Sequence, residues 1–193
     1  MTLSLKISKS AKRVLVTCLI ALLAMELIDV FWPETMALTW HVRHGFRVRC
    51  CGFEVRVPMR YLGNEDHFSV SLFSTPGYVR AKFFHSPYAM MLLSEFPRVH
   101  TGQDNENLET GVARVTAMYE SSGYKLVQKR PATIADKQLE CWEFYTEHFD
   151  HFGPQFEVMC YGHGNDMAAS FTGSPSMLNE FYSTLESARP ASR

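Results

Sequence analysis

The chain changes its hydrophobic rhythm as it leaves the N-terminus. Residues 14–25, VLVTCLIALLAM, carry no charge, and the apolar character continues through Leu27, Ile28, Val30 and Phe31 to Trp32, broken only by Glu26 and Asp29. Val14 to Trp32 is 19 residues, about 28 Å of helix, close to the ~30 Å hydrocarbon core of a bilayer. A carboxylate at mid-bilayer costs about 2.5–3.5 kcal/mol on insertion scales. Glu26 and Asp29, however, lie toward the far end, where they reach headgroup water and Trp32 can anchor at the interface.

From Trp40 onward, glycine and proline punctuate short stretches of alternating apolar and polar residues, the signature of half-buried strands. Residues 46–49 and 53–57 alternate on either side of Cys51-Gly52, which predicts a hairpin. His67 to Phe73 and Tyr78 to Phe84, joined by Thr75-Pro76-Gly77, predict a second one. Ser86-Pro87 reads as the start of a short helix over Tyr88–Phe96 that Pro97 stops, followed by a polar loop from Arg98 to Glu106. Leu108, Val112, Val115 and Tyr119 recur at helical spacing until Ser121-Ser122-Gly123, predicting the main amphipathic helix. Strands follow over 125–129, 138–145, 156–161 and 167–172. Ser174-Pro175 then caps a last helix carrying Met177, Leu178, Phe181, Tyr182 and Leu185, and the tail after Ala188 is expected to be frayed.

The expected fold class is α+β, an antiparallel sheet of about six to seven strands packed by two main helices and preceded by one N-terminal transmembrane helix. The short connections exclude a doubly wound parallel sheet, and Gly162-His163-Gly164 lacks the third glycine and the lysine of a phosphate loop.

Charge adds topology. Lys6, Lys9, Lys12 and Arg13 precede the apolar run with no acid among residues 1–13. The positive-inside rule makes 1–13 a cytoplasmic tail, 14–33 an uncleaved signal anchor reaching membrane lipid, 40–188 an extracytoplasmic domain and 189–193 a disordered tail. The expected location is the cell (inner) membrane, single-pass. Two other readings compete: a signal peptide cleaved after Thr35-Met36-Ala37, so that a secreted or periplasmic protein starts at Leu38, and a core helix of a soluble protein. Cys18 lies inside the apolar run, which speaks against a lipoprotein.

Across all 193 residues, 46% are hydrophobic, 20% are charged and the formal net charge is −1. That composition can fill a core and excludes a disordered chain. It also argues against nucleic acid as a partner, since phosphate binding draws on clustered cations.

The order of elements, and above all the segment FEVMCYGHGNDMAASFTGSPSMLNEFYSTL, in which two strands lead into a helix ending at Phe181 and Leu185, resembles the PsbP-like and Ran-binding Mog-like small α+β accessory domains. The resemblance spans residues 65–187 and implies a binding or assembly role without catalysis. It brings no site residues with it.

Candidate chemistry is sparse. If strands 138–145 and 156–161 pair about Asp150-His151, Cys141 faces Cys160 within disulfide reach, with two buried free thiols as the alternative. Cys50-Cys51 can pair with each other or with another chain. His148, Asp150 and His151, with His163, are metal-ligand types, but His-x-x-His in a loop is a weak pattern and His163 falls at the other strand end. Five arginines, Arg43, Arg47, Arg49, Arg56 and Arg60, stand against Glu54 alone, and form a basic face for anionic headgroups or an acidic protein partner at or near the membrane. Solvated strand arginines that discourage edge aggregation are the plainer alternative. The expected function is a membrane-anchored, extracytoplasmic binding or scaffolding domain without catalytic activity and with no cofactor. The alternatives are a metal- or thiol-dependent hydrolase and a secreted ligand-binding domain.

Overall fold

A computed structural model describes residues 8–66, 68–74, 76, 80, 84, 86–95, 108–162 and 167–191. Its first element is a single helix, α1 (Lys9–His44), of 36 residues, with Ser8 as N-cap and Gly45, at φ 80°, ending it. Pro33 lies inside α1. The helix is long and apolar enough to cross a membrane, and none of its most apolar 18-residue stretch is buried.

The domain that follows is α+β. Strands β1 (Arg47–Cys50) and β2 (Phe53–Arg56) form the first expected hairpin. Cys51 and Gly52 turn it with φ of 58° and 80°, the two positive values of a tight two-residue hairpin turn. A short strand β10 (Arg189–Pro190) pairs with β2, so the tail expected to fray is held against the small sheet as far as Pro190.

The larger sheet has seven antiparallel strands in the order β3-β4-β5-β9-β8-β7-β6. These are β3 (Leu62–Asp66), β4 (Ser69–Ser74), β5 (Ala89–Glu95), β6 (Lys125–Ile134), β7 (Lys137–Phe149), β8 (Gly153–Gly162) and β9 (Met167–Gly173). Helix α2 (Leu108–Ser121) ends at Gly123, at φ 86°, as the Ser-Ser-Gly signal predicts. Helix α3 (Leu178–Glu186) follows a short 3-10 turn begun by Pro175.

Two expectations are corrected. Tyr88–Phe96 is not a helix: Ala89–Glu95 is the strand β5, between β4 and β9. Ala89, Met91 and Leu93 fill the core while Met90, Leu92 and Ser94 face the other way. A strand apolar on both faces shows no alternation, so its period is ambiguous in the sequence. The second hairpin is also different, because β4 pairs with β3 and β5, not with 78–84. Arg80 and Phe84, the described residues of that segment, are helical. Strand β3, LGNED, carries no apolar alternation and was not expected from the sequence. The loop 98–106 lies outside the described residues.

The two faces of the large sheet hold different chemistry. One face, with the small sheet and α3, encloses the apolar core of Val55, Leu72, Met91, Cys141, Cys160, Phe171, Phe181 and Leu185. The opposite face carries α2 over Tyr124, Trp142 and Phe144, with Val112 and Tyr119 packed against them.

Candidate interaction surfaces

The upper part of α1 docks onto the domain through residues one helical turn apart. Ala37 and His41 are buried, at 1% and 3% exposure. The His41 ring places Nδ1 2.9 Å from the Gly45 carbonyl and Nε2 3.1 Å from the Pro58 carbonyl, and stacks on Phe46 with centroids 4.8 Å apart. Trp40 lies on the backbone of β3. A Cβ added at Gly63 would stand 2.5 Å from the Trp40 ring and 3.3 Å from Val48, so a residue without a side chain is what lets helix and strand close.

Lower down, Arg80, between β4 and β5 in sequence, reaches the end of the apolar run. Arg80 donates to the Val30 carbonyl at 2.9 Å and to Glu34 at 2.6 Å. Between this contact and the domain lies a cleft of about 760 Å³ lined by Glu34, Leu38, Met59, Arg60, Arg80 and Glu180, among others. Arg60 faces it and approaches Glu180 at 3.7 Å.

The expected basic face is regrouped by the structure. Val48 pairs with Val55 and Cys50 with Phe53 on the core side, which groups Arg47, Arg49, Glu54 and Arg56 on the other side, with Arg49 and Arg56 exposed, Arg47 half-buried and Glu54 buried. Arg189 joins them through the β10–β2 pairing. The Glu54 carboxylate is clamped by Arg189 at 3.0 Å and Arg49 at 2.8 Å. The Arg189 guanidinium, then that of Arg49, holds its carboxyl below the usual carboxylate range. Arg47 stands opposite Arg56, and one of its terminal nitrogens is buried without a hydrogen-bond partner. Arg60 belongs to the cleft, and Arg43 sits in the last turn of α1. Arg189 was missed because only the pairing of the chain's end with β2 brings it there.

Cys141 and Cys160 are register partners in β7 and β8, bonded to each other, with Cα atoms 4.0 Å apart and both side chains fully buried. Cys50 is bonded to Cys51 at the β1–β2 turn. His148 is exposed at the end of β7, and Asp150 is exposed in the one-turn helix that follows, at φ 46°. The side chain of His151 and all of His163 lie outside the described residues. Among the described residues, no group of three His, Cys, Asp or Glu side chains is placed to hold a metal ion.

Sequence reading overlooked a polar network under α2. Gln155, fully buried, donates to the Tyr124 hydroxyl and to Glu157, both at 2.8 Å, and accepts from the Tyr88 hydroxyl. Glu157 also accepts from Thr172 at 2.7 Å and from Tyr119 of α2. Burial raises the Glu157 carboxyl above its ordinary value, and the donors from Thr172, Gln155 and Tyr119 offset only part of that rise. Each oxygen and nitrogen of Gln155 and Glu157 is engaged, so the network ties α2 to the sheet. Alternating polar residues on β8, Gln155 and Glu157, were the available signal.

No protein-family model matches the chain, and no curated protein matches it. Among solved structures, it is similar to the solution structure of PsbP from the cyanobacterium Synechocystis sp. PCC 6803. The identity is 11% and the TM-score 0.43, over 72% of this chain and 87% of that one. This is a weak PsbP-like resemblance.

Proposed function

We propose that the chain is a single-pass, membrane-anchored accessory protein that binds or scaffolds and performs no reaction of its own. The apolar half of α1 crosses the membrane, residues 1–13 remain cytoplasmic, and residues 40–188 stand outside the cytoplasm. The division of α1 carries the reading. Twelve large apolar side chains from Val14 to Trp32 are at least 53% exposed. At about 1.5–3 kcal/mol for each side chain left unburied, their exposure to water forgoes on the order of 20 kcal/mol, more than the whole net stability of a typical domain. Lipid removes that cost.

Two further observations support the same reading. Cleavage after Ala37 would remove both the buried Ala37 and the Glu34 partner of Arg80, which favours an uncleaved anchor. The buried Cys141–Cys160 disulfide suits an oxidising compartment.

The basic face of β1, β2 and β10 meets an acidic protein partner rather than lipid headgroups. The small sheet leaves α1 at the level of His41, nine residues beyond Trp32, or roughly 13 Å along the axis. The headgroup layer takes up about 5–7 Å of that rise, so lipid charge acts on these arginines only across about one Debye length, about 8 Å at physiological salt, whereas an acidic protein partner can meet them directly. In neutral nanodiscs the full chain is expected to bind polyglutamate in a salt-dependent way. The triple change Arg47→Glu, Arg49→Glu, Arg56→Glu should abolish that binding, and unchanged binding contradicts the assignment. Metal analysis, with alanine at His148 and His151, tests the hydrolase alternative: a stoichiometric ion lost on substitution would overturn the non-catalytic reading.

A further inference from the structure

We propose that the cleft at the foot of the domain holds one phospholipid with a primary-amine zwitterionic headgroup, taken from the leaflet beside it. The inference rests on the membrane-spanning reading of α1, which sets the cleft's level. Glu34 follows Trp32, the end of the apolar run, by two residues, and Arg80 reaches down to the Val30 carbonyl. The mouth therefore sits where headgroups lie.

The lining matches that occupant in three respects. The volume of about 760 Å³ falls in the range of small-ligand sites, about 300–1,000 Å³. The charges come as two cations and two anions, Arg80 with Glu34 at 2.6 Å and Arg60 with Glu180 at 3.7 Å, and none of the four is fully buried. Guanidiniums present the forked donors that a phosphate diester accepts, and carboxylates accept from a primary ammonium. An anionic glycerol headgroup answers the arginines but offers the two carboxylates only neutral hydroxyl donors, weaker than an ammonium, and brings net negative charge to a cleft whose four charges already balance. A choline headgroup brings a cation with no N–H to donate. Leu38 and Met59, 54% and 57% exposed, give the glycerol and first methylenes an apolar wall.

The test uses the full chain, purified in mild detergent, stripped of lipid and titrated with short-chain phosphatidylethanolamine, phosphatidylcholine and phosphatidylglycerol under native mass spectrometry. The expected result is a one-to-one adduct with phosphatidylethanolamine and about tenfold weaker adducts with the other two, the size of one charge-assisted hydrogen bond. The pairs Arg60→Gln with Arg80→Gln and Glu34→Gln with Glu180→Gln should each lower that adduct about tenfold or more. Ser74→Trp fills the cleft from β4 and leaves all four charges in place; it should do the same, with a thermal melt confirming that the domain still unfolds cooperatively. Equal adducts for the three lipids, or full retention of phosphatidylethanolamine by folded Ser74→Trp, overturns the proposal. Alkaline extraction of the wild type from membranes would overturn the anchoring reading separately, because the detergent titration reports on the cleft whatever the topology.

Discussion

The two halves of α1 are one continuous helix with opposite solutions to the same problem. From Val14 to Trp32 the apolar side chains point in every direction and stay exposed apart from half-buried Val30, whereas from Ala37 to His44 one stripe, Ala37, Trp40 and His41, docks onto β3 and the Pro58 turn. Helix geometry makes the difference. A segment apolar all round cannot be covered by one protein face and calls for an apolar solvent, while a stripe at spacing of three and four can be covered by a strand. The transition comes at Pro33 and Glu34, where Arg80 meets the helix.

Breaking the bare half should have the largest effect. Leu19→Lys with Leu23→Lys costs about 2.5–3.5 kcal/mol per residue at the bilayer centre. The variant is expected to move from the membrane to the soluble or aggregated fraction while the domain's melting transition, read by near-UV circular dichroism, stays unchanged. A coupled loss of the melt would show that the bare half packs on protein.

The domain should respond in the converse way. Cys141→Ser with Cys160→Ser removes a buried cross-link and should cost about 2–4 kcal/mol in chemical denaturation without altering membrane partition. Gly63→Val drives a side chain into the Trp40 ring and should cost about 1–3 kcal/mol. Hydrogen exchange would localise the damage, with faster exchange in residues 37–44 and none of it in 14–32.

The smallest effect is a pH dependence far from α1. Because the Glu157 carboxyl is raised in the folded protein, the fold binds its proton more tightly than the unfolded chain does. Its favourable contribution is present at pH below the ordinary value of 4.5 and fades as pH rises through the raised folded value. Glu157→Gln should flatten stability against pH in that window, and an unaltered slope would contradict the buried-carboxylate account.

Much of this was legible in the chain. The bare half of α1, the β1–β2 hairpin, the Cys141–Cys160 register and α3 all follow from local signals: an unbroken apolar run, alternation around Cys51-Gly52, symmetry about Asp150-His151, and Ser174-Pro175. What escaped depended on distant partners. Strand β5 carries apolar side chains on both faces, Met91 and Leu93 toward the core and Met90 and Leu92 away from it, which erases the alternation a strand would show, and β3 is polar at a sheet edge. Arg189 completes the basic face through a pairing across most of the sequence. The cleft joins α1, the Pro58 turn, β4 and α3, so no single stretch announces it.

Protease protection in membrane vesicles of both orientations tests the central claim most directly. The account predicts a chain that resists alkaline extraction and keeps its own residues 14–36. Protease added from the extracytoplasmic side should remove the domain of residues 40–188, while the cytoplasmic side yields access only to the short basic tail. A mature protein beginning at Leu38, or a domain cut only from the cytoplasmic side, would contradict it.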